Sequence, residues 1–436
     1  MNSEKSSLLA ISLILILVLS TIPSVHAAEP IWTYSSPGDE IGGVTISSDG
    51  SAIAVAGGKI WLFSKNGMLL TKEPYGDQVV FTPDGSYLIS SYSDSLYEFK
   101  RGNLLNKSES PLQKMWDTSL PGTIRSIDVS DNGKTIVASL NAAGIYIFDS
   151  KGKMVKGNKS YNAIIRISST GTRIVGVYQR VLCLYNSNLI CSGSEEGIVG
   201  ALPTFMELNG IGNISVFNDG PRVRSVNLDN KTLRWVKSAN GDISALTMTP
   251  VGSGILVGTA KGNVTLFDQY GNISWSYASN PSNKQAAEIS CVALSKEGTV
   301  AAAGSNDGKI FALNSNGEVI WSNQTNDHIH HIAMSADGLL VIATGDNTVY
   351  AFSTSAQSTR TVRTTVISTT LTRSQSVTTL PENSTTQKPT IRESTTREIT
   401  AIPTVYSVIK TTQSSLTEMI SISALLLTMF FLRKDR

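Results

Sequence analysis

The segment Gly304–Trp321, GSNDGKIFALNSNGEVIW, decides the fold of this chain. It contains a turn at Asn306–Gly308, a mostly apolar run at Lys309–Leu313, a second turn at Asn316–Gly317, and a short run that ends on Trp321. Short apolar runs between Gly-containing turns are typical of antiparallel hairpins and leave no room for a helix. The segment therefore predicts two neighbouring strands of one antiparallel sheet.

Similar glycine turns recur along the chain at a spacing of about 40 residues, which is the period of propeller blades. They lie at Ser48–Gly50, Pro83–Gly85, Asp131–Gly133, Ser169–Gly171, Val251–Gly252, Lys296–Gly298 and Ala336–Gly338, with Asn209–Gly210 in the one gap. Apolar residues alternate before each turn, and third strands such as Lys59–Phe63, Gly144–Phe148 and Thr348–Phe352 follow. Each repeat thus predicts a four-stranded antiparallel sheet.

Gly304–Trp321 resembles the repeat of the pyrroloquinoline-quinone-type propellers, including the closing tryptophan. Gly258–Trp275 resembles it nearly as well and Asn227–Trp235 in part, while the first repeats are more similar to WD-like blades. The resemblance covers residues 29–353 and implies eight blades for the quinoprotein type, or seven as is common in the WD type. Quinoprotein enzymes hold their cofactor beside two adjacent cysteines, which this chain lacks, so the resemblance does not imply redox activity.

Eight turn positions predict an all-β fold, an eight-bladed β-propeller, with seven blades as the alternative. The last repeat ends at Phe352–Ser353 with only three strands, and an unpaired strand there would leave the ring open. We expect the N-terminal Ile31–Trp32 to supply the missing fourth strand and close the ring.

The two ends predict an exported, membrane-anchored protein. Residues 1–27 have the basic, apolar and small-residue order of a signal peptide, with an uncleaved anchor as the alternative. After the propeller at 28–353, the Ser/Thr-rich residues 354–415 predict a disordered, O-glycosylated stalk. The apolar residues 416–432, followed by the basic cytoplasmic end 433–436, predict a C-terminal transmembrane anchor, or a tail that is replaced by a lipid.

Potential modification sites agree with export. Eight Asn-x-Ser/Thr sequons predict an N-glycosylated surface protein; they begin at Asn106, Asn158, Asn213, Asn230, Asn263, Asn272, Asn323 and Asn383. If Asn186–Asn188 form a hairpin loop, Cys183 and Cys191 lie directly opposite each other and can form a disulfide, with two reduced core thiols as the alternative. Cys291 alternates with apolar neighbours and is interpreted as a core residue.

Two sets of side chains share repeat positions. Alignment on the turn glycines places His328 with Glu40, Asp242 and Glu288, just before the first strands of their blades. These residues are best interpreted as solvated rim residues, with a ring that holds a divalent metal or a polar ligand as the alternative. One position carries five tryptophans, which we expect to pack between blades: Trp32, Trp116, Trp235, Trp275 and Trp321.

Composition and motifs favour a binding role over catalysis. The net charge of +2 gives no electrostatic argument for nucleic acid. The chain has no phosphate-binding loop, CxxC pair or nucleophile elbow, so no cofactor or catalytic residue is predicted. We expect a non-catalytic scaffold anchored in the plasma membrane that recognises a protein or glycan at the cell surface. The alternatives are an extracytoplasmic hydrolase, lyase or quinone-dependent oxidoreductase, and a structural component of a surface layer.

Overall fold

A computed structural model describes residues 27–36, 41–103, 109–141, 144–159, 164–178, 181–185, 189–193, 199–200, 203–280 and 286–355. This part of the chain is all-β and forms eight four-stranded antiparallel sheets, each with its strands in the order of an up-and-down meander. The predicted eight-bladed propeller is confirmed, and the seven-bladed alternative is wrong.

The blades follow one another along the chain, and the strand bounds define them. Blades 1 to 4 are β2(Gly43–Ile46) β3(Ala52–Ala56) β4(Lys59–Ser64) β5(Leu69–Pro74); β6(Gln78–Phe81) β7(Tyr87–Tyr92) β8(Ser95–Arg101) β9(Leu112–Ser119); β10(Ile124–Val129) β11(Thr135–Leu140) β12(Gly144–Asp149) β13(Met154–Asn158); and β14(Ile165–Ile167) β15(Ile174–Tyr178) β16(Val181–Tyr185) β17(Cys191–Gly193). Blades 5 to 7 are β18(Met206–Leu208) β19(Ile214–Asp219) β20(Arg222–Asn227) β21(Thr232–Ser238); β22(Ile243–Met248) β23(Gly254–Thr259) β24(Asn263–Asp268) β25(Ile273–Ala278); and β26(Ile289–Leu294) β27(Val300–Ser305) β28(Lys309–Asn314) β29(Val319–Gln324). Blade 8 consists of β30(His331–Met334), β31(Leu340–Thr344), β32(Thr348–Ser353) and the N-terminal β1(Trp32–Ser35).

The turn between the first two strands of a blade is built locally. In blade 1, Gly50 has φ +67°, a conformation that favours glycine. The Ser47 hydroxyl donates to the Asp49 carboxylate at 2.5 Å, and the Ser51 amide donates to the same carboxylate at 3.0 Å. Partial burial opposes ionisation, yet these bonds hold the pKa of Asp49 well below its usual range. The Asp-Gly turns therefore form from short-range contacts, which is why the sequence identifies them.

The ring is closed by the N-terminal strand, as predicted. β1 pairs antiparallel with β32, with Trp32 opposite Ala351 and Ser35 opposite Thr348. The preceding residues also reach blade 7, because the Ala28 amide donates to the Ser322 carbonyl at 2.9 Å. The backbone of the N-terminal segment thus forms hydrogen bonds with two successive blades, 7 and 8.

The hydrophobic core lies between the sheets. At the junction of blades 8 and 1, Ile53 and Phe63 of blade 1 pack with Ile342 and Ala351 of blade 8. Similar clusters fill the other junctions, and the strands that form them are apolar on both faces. Stability is therefore shared among junctions rather than stored within a single blade.

The cysteine geometry differs from the prediction. Cys183 and Cys191 are joined by a disulfide with a Cα–Cα distance of 5.0 Å. However, Cys191 lies opposite Tyr185, and Cys183 lies opposite Gly193, so the bridge is diagonal rather than directly across the ladder. The predicted three-residue hairpin loop is wrong because the chain does not return to the ladder until Cys191. Cys291 is a buried free thiol, as predicted for a core residue.

The predicted signal peptide up to His26, most of the stalk, the C-terminal anchor and the basic end lie outside the described residues. Within the part that the structure covers, no helix has the length and apolar character needed to cross a membrane.

Candidate functional site

The first strands of the blades form the inner wall of the propeller. Each of them contacts the first strand of the next blade, and the series runs from β2 through β6 and onward to β30, which returns to β2. Side chains on these strands and on the connections that enter them therefore surround one central channel. This channel and the rim above it are the natural places to look for a site.

The rim residues that the turn glycines align also occupy equivalent places in the structure, as the packing of the next residue shows. Three described members directly precede a buried isoleucine, as His328 precedes Ile329 and Glu288 precedes Ile289. Each of these two isoleucines packs on a glycine of the preceding blade. A Cβ at Gly304 would lie 2.4 Å from Ile329, and one at Gly258 would lie 2.5 Å from Ile289. The repeat positions are thus equivalent.

The three described members of this set, Asp242, Glu288 and His328, are not placed together as a metal site. The Glu288 carboxylate accepts a hydrogen bond from Asn306 at 3.0 Å, while Asp242 and His328 are exposed. Glu40 lies outside the described residues. Among the residues that are described, no group of three or more His, Cys, Asp and Glu side chains is placed to hold a metal ion.

The histidines instead form a local cluster on blade 8. His330 Nε2 lies 2.9 Å from Asp346 Oδ1, and the rings of His328 and His330 are 6.5 Å apart. The hydrogen bond from His330 lowers the pKa of Asp346, whereas burial and the charge of His330 lower the pKa of His331. His331 is therefore held in its neutral form over a wider pH range than an exposed histidine.

A cavity of about 290 Å³ opens beside this cluster, lined by Val44, Leu246, Cys291 and His331 among others. Burial raises the pKa of the Cys291 thiol to about 12, so it remains protonated at neutral pH and is a poor nucleophile. A hydrogen bond with the Gly304 backbone lowers the pKa of this thiol, but by less than burial raises it. The cavity has the composition of a packed channel wall rather than that of a nucleophilic site.

On the opposite arc of the channel, the structure brings together three charged residues that the sequence analysis missed. Arg166 of β14 forms two hydrogen bonds with Glu207 of β18, at 3.3 and 3.2 Å. Asp128 of β10 accepts the Ile167 amide at 2.9 Å, and burial raises its pKa to about 6 despite the nearby Arg166. Burial opposes the charge of Arg166, but Glu207 and Asp128 raise its pKa overall. The three side chains join blades 3, 4 and 5.

Other side chains continue these links between first strands. Gln78 donates to the Arg125 carbonyl at 3.0 Å, and Ser244 donates to the Ile289 carbonyl at 2.7 Å. Ser290 donates to the Ile329 carbonyl in the same way. The polar channel residues of the described strands are thus largely used to hold neighbouring blades together.

The tryptophans pack between blades, as predicted. The indole of Trp32 rests on Gly67 of blade 1, where a Cβ would lie 2.5 Å from the ring, and its Nε1 donates to the Lys65 carbonyl at 3.0 Å. Trp116, Trp235 and Trp275 rest in the same way on Gly152, Gly271 and Gly317 of the next blade. Trp321 stacks on Phe352 with ring centroids 4.7 Å apart. Their role is structural.

A tyrosine ladder lies between blades 1 and 2, and the sequence analysis did not identify it. Tyr75 is 49% exposed and Tyr92 is 37% exposed, with ring centroids 5.3 Å apart. Tyr75 also stacks on Tyr97 at 6.0 Å, and Tyr97 continues to Phe99. Tyr75 has φ +73°, a left-handed conformation that is costly for a bulky residue. Only the tertiary structure brings these rings together, because they come from a connection and two strands.

The sequons differ in accessibility. Asn230 and Asn272 are exposed, whereas Asn158, Asn213, Asn263 and Asn323 are half-buried. The side-chain amide of Asn158 donates to the Leu189 carbonyl, and that of Asn323 donates to the Ala28 carbonyl, both at 2.8 Å. Asn106 and Asn383 lie outside the described residues.

Comparisons with known proteins agree on the fold. The family model of the Vps8 beta-propeller matches residues 234–429. No curated protein matches the chain. This chain is a β-propeller. Chaetomium thermophilum Sqt1, solved bound to the N-terminus of the ribosomal protein L10, is 12% identical, with 75% of this chain and 100% of that chain covered and a TM-score of 0.64.

Two further solved structures are similar to the propeller. Saccharomyces cerevisiae Sqt1 is 11% identical over 75% of this chain and 99% of that chain, with a TM-score of 0.61. The computationally designed Ika8 protein is 15% identical over 74% of this chain and 99% of that chain, with a TM-score of 0.59. At these identities the similarity concerns the fold alone, so the resemblance to quinoprotein-type repeats stays a prediction.

Proposed function

We propose that this chain is a non-catalytic binding propeller that recognises a protein partner at the cell surface, and that the tyrosine ladder is its contact site. The observation that carries the proposal is the exposure of Tyr75 and Tyr92 on a rigid ring. Tyrosine is enriched at protein interfaces because a large, nearly rigid ring buries much area at little entropic cost.

The ladder is fixed before any partner arrives. Tyr97 is half-buried and joins the exposed rings to Phe99 in the interior. The Ser93 amide donates to the Asp77 carboxylate at 3.0 Å, which ties the turn after Tyr92 to the connection that carries Tyr75. A site that is already ordered loses little conformational entropy on binding. Strain at Tyr75 is consistent with a functional rather than a packing role.

The similarity to Sqt1 supports a protein partner, since that propeller was solved with the N-terminus of a ribosomal protein bound. Glycan is the second class of partner, because tyrosine faces also stack on sugars. The cell-surface location rests on the sequence: the N-terminal signal, the Ser/Thr-rich stalk, the C-terminal apolar segment and the sequons. The exposed sequon at Asn230 is compatible with glycosylation, whereas the amide of the exposed Asn272 donates to the Asp268 carboxylate at 2.9 Å.

The test uses the full-length protein as bait for surface proteins of its own cell, and as a probe on a glycan array. A Tyr75→Ala/Tyr92→Ala double variant is compared with Tyr270→Ala, which removes a tyrosine that is 65% exposed in blade 6. We expect the double variant alone to lose the partner while its melting temperature stays within a few degrees of wild type. A partner retained by the double variant would show that the ladder is not the contact site.

The two alternatives give different results. An enzyme that used the His328 ring would contain a stoichiometric divalent metal, lost in His328→Ala, when the purified protein is analysed for metals. A structural component of a surface layer would self-associate in light scattering at concentrations where a binding module remains monomeric.

A further inference from the structure

A tryptophan packs at five of the eight junctions, and the junction of blades 3 and 4 is one of those without it. In blade 6, Trp275 of the outer strand pairs with Leu266, just before a bulge. In blade 3, Lys156 occupies the equivalent position. It lies opposite Ile147, again just before the bulge. The Lys156 side chain is exposed, so no indole enters the interface with blade 4 from this strand.

A cavity remains where this packing is missing. Its volume is about 540 Å³, and apolar atoms of Ile147, Phe148, Val155 and Ile174 contribute to its lining, with Gly171 and Thr172 of blade 4 on the other side. Leu189 is buried in the same junction, but it does not fill this space. Of these lining residues, Val155 is 58% exposed.

Among the described strands, none pairs with the outer side of the strand beside the cavity. β13 pairs with β12 and is the last strand of its sheet. Residues 154–157 are exposed along this edge. An outer strand of this kind can accept an added strand, with main-chain hydrogen bonds for affinity and a side-chain pocket for specificity.

Exposed lysines lie in the cavity lining and next to it along the chain: Lys134 lines the cavity, and Lys151, Lys153 and Lys156 flank Val155 on the β12–β13 hairpin. Lys134, Lys151, Lys153 and Lys156 are all exposed, and the described ion pairs include none of them. Asp149 is the one acidic residue in the lining, and its carboxylate accepts the Lys151 and Lys153 amides at 2.9 and 3.0 Å. A negatively charged segment would therefore be attracted to this edge.

We propose that the groove between blades 3 and 4 binds an extended acidic segment of a partner protein, with an aromatic side chain of that segment inserted into the cavity. The other junctions show that an indole fits between blades of this propeller. The chain's own residues 356–436 are an unsuitable occupant, since they contain more Lys and Arg than Asp and Glu.

This inference concerns a second site, remote in sequence from the tyrosine ladder, and it rests on the proposed function only in that both take a protein partner. Variants at one site leave the other unchanged. Loss of peptide binding with intact ladder-dependent capture, or the reverse, therefore separates the two proposals.

The experiment measures fluorescence polarisation of a labelled peptide, Asp-Glu-Asp-Trp-Asp-Glu-Asp, added to the full-length protein. We expect saturable binding that weakens about tenfold or more when the peptide's Trp is replaced by Ala, because an aromatic anchor carries much of the affinity. A Lys151→Glu/Lys153→Glu variant should weaken binding by a similar factor and reduce its dependence on salt.

Thr172→Trp places an indole at the cavity from blade 4, and its matched control is Thr299→Trp, an exposed threonine after the equivalent turn glycine of blade 7. We expect Thr172→Trp alone to abolish peptide binding. If Thr172→Trp proves unstable in thermal melts, Val155→Asp is used instead. It places a negative charge at an exposed lining residue, and we expect it to abolish peptide binding as well. Three results would overturn the proposal. Thr172→Trp and Thr299→Trp could bind the peptide equally well, or the peptide with Ala in place of Trp could bind as tightly as the original. The third is that no binding is seen at about 1 mM.

Discussion

Trp32 lies directly opposite Ala351 in the β1–β32 ladder, so the first strand of the propeller completes the sheet formed by its last three strands. The same tryptophan rests on Gly67 of blade 1 and donates to Lys65. One residue near the N-terminus therefore contributes both to the completion of blade 8 and to its packing on blade 1. Because the blades are held together at their junctions, this contact affects the whole ring.

Deleting Glu29 to Ser35 is expected to destabilise the ring as a whole rather than fray one end. The deletion exposes the edge of β32 and removes the packing of Trp32 and Tyr34 on Phe63. Trp32→Ala alone should lower the free energy of unfolding by about 2–4 kcal/mol. Urea denaturation followed by circular dichroism measures the stability of the deletion and of Trp32→Ala. Ile31→Ala, which changes a 45% exposed neighbour, is the control. A truncated protein that unfolds like the intact one would show that closure is not needed for stability.

Replacing Gly67 by Ala tests the packing of tryptophan on glycine. Gly67 has φ +80°, and its Cβ would lie 2.5 Å from the Trp32 ring. Gly58→Ala is the matched control, with φ +69° and no atom within 4 Å of the new Cβ. Both variants lose about 1 kcal/mol from the left-handed conformation. Gly67→Ala should lose about 1–3 kcal/mol more through overpacking, and equal losses in thermal denaturation would contradict the packing argument.

Glu98 is expected to make stability depend on pH. Burial raises its pKa to about 7, and contact with Trp116 offsets this only in part. Because the folded-state pKa lies above the ordinary glutamate value of 4.5, the native state binds more protons than the unfolded state. The stabilisation is complete below about pH 4.5 and is lost as the pH rises to about 7.

The measurement compares wild type with Glu98→Gln, whose side chain does not titrate. Relative to this variant, the wild type should lose about 2–3 kcal/mol of unfolding free energy between pH 4.5 and 8. Denaturant titrations at a series of pH values provide the readout. A constant difference between the two proteins over this range would show that Glu98 is ionised in the folded state.

The sequons are expected to differ in occupancy when the protein is purified from its natural source. Asn230 is exposed, and it is its side-chain oxygen that accepts the Thr232 hydroxyl, at 2.7 Å. The side-chain amide of Asn323 donates to the Ala28 carbonyl and so holds the N-terminal segment against blade 7. Mass spectrometry of glycopeptides should therefore find Asn230 modified and Asn323 unmodified, and the opposite pattern would contradict the assignment.

Much of the fold was predictable from the sequence because it depends on local chemistry. Turns such as Ser47–Gly50 form from hydrogen bonds within a few residues, and their spacing reveals eight blades. The closing strand was predictable from the count of strands. The last repeat has three strands where the others have four, so a strand from the N-terminus is needed to complete it. The position shared by the tryptophans likewise indicated packing between blades, because a repeat places equivalent residues in equivalent surroundings.

The sites required the tertiary structure. The sequence places His328 and Glu288 at one repeat position, but equivalence around a ring separates residues rather than bringing them together, and the metal ring is not assembled among the described residues. The tyrosine ladder and the cavity at Ile147 depend on side chains from different strands or blades. Local patterns thus determined the blades and their closure, whereas the candidate binding surfaces arise only where neighbouring blades meet, because distances between blades are set by packing and not by spacing along the chain.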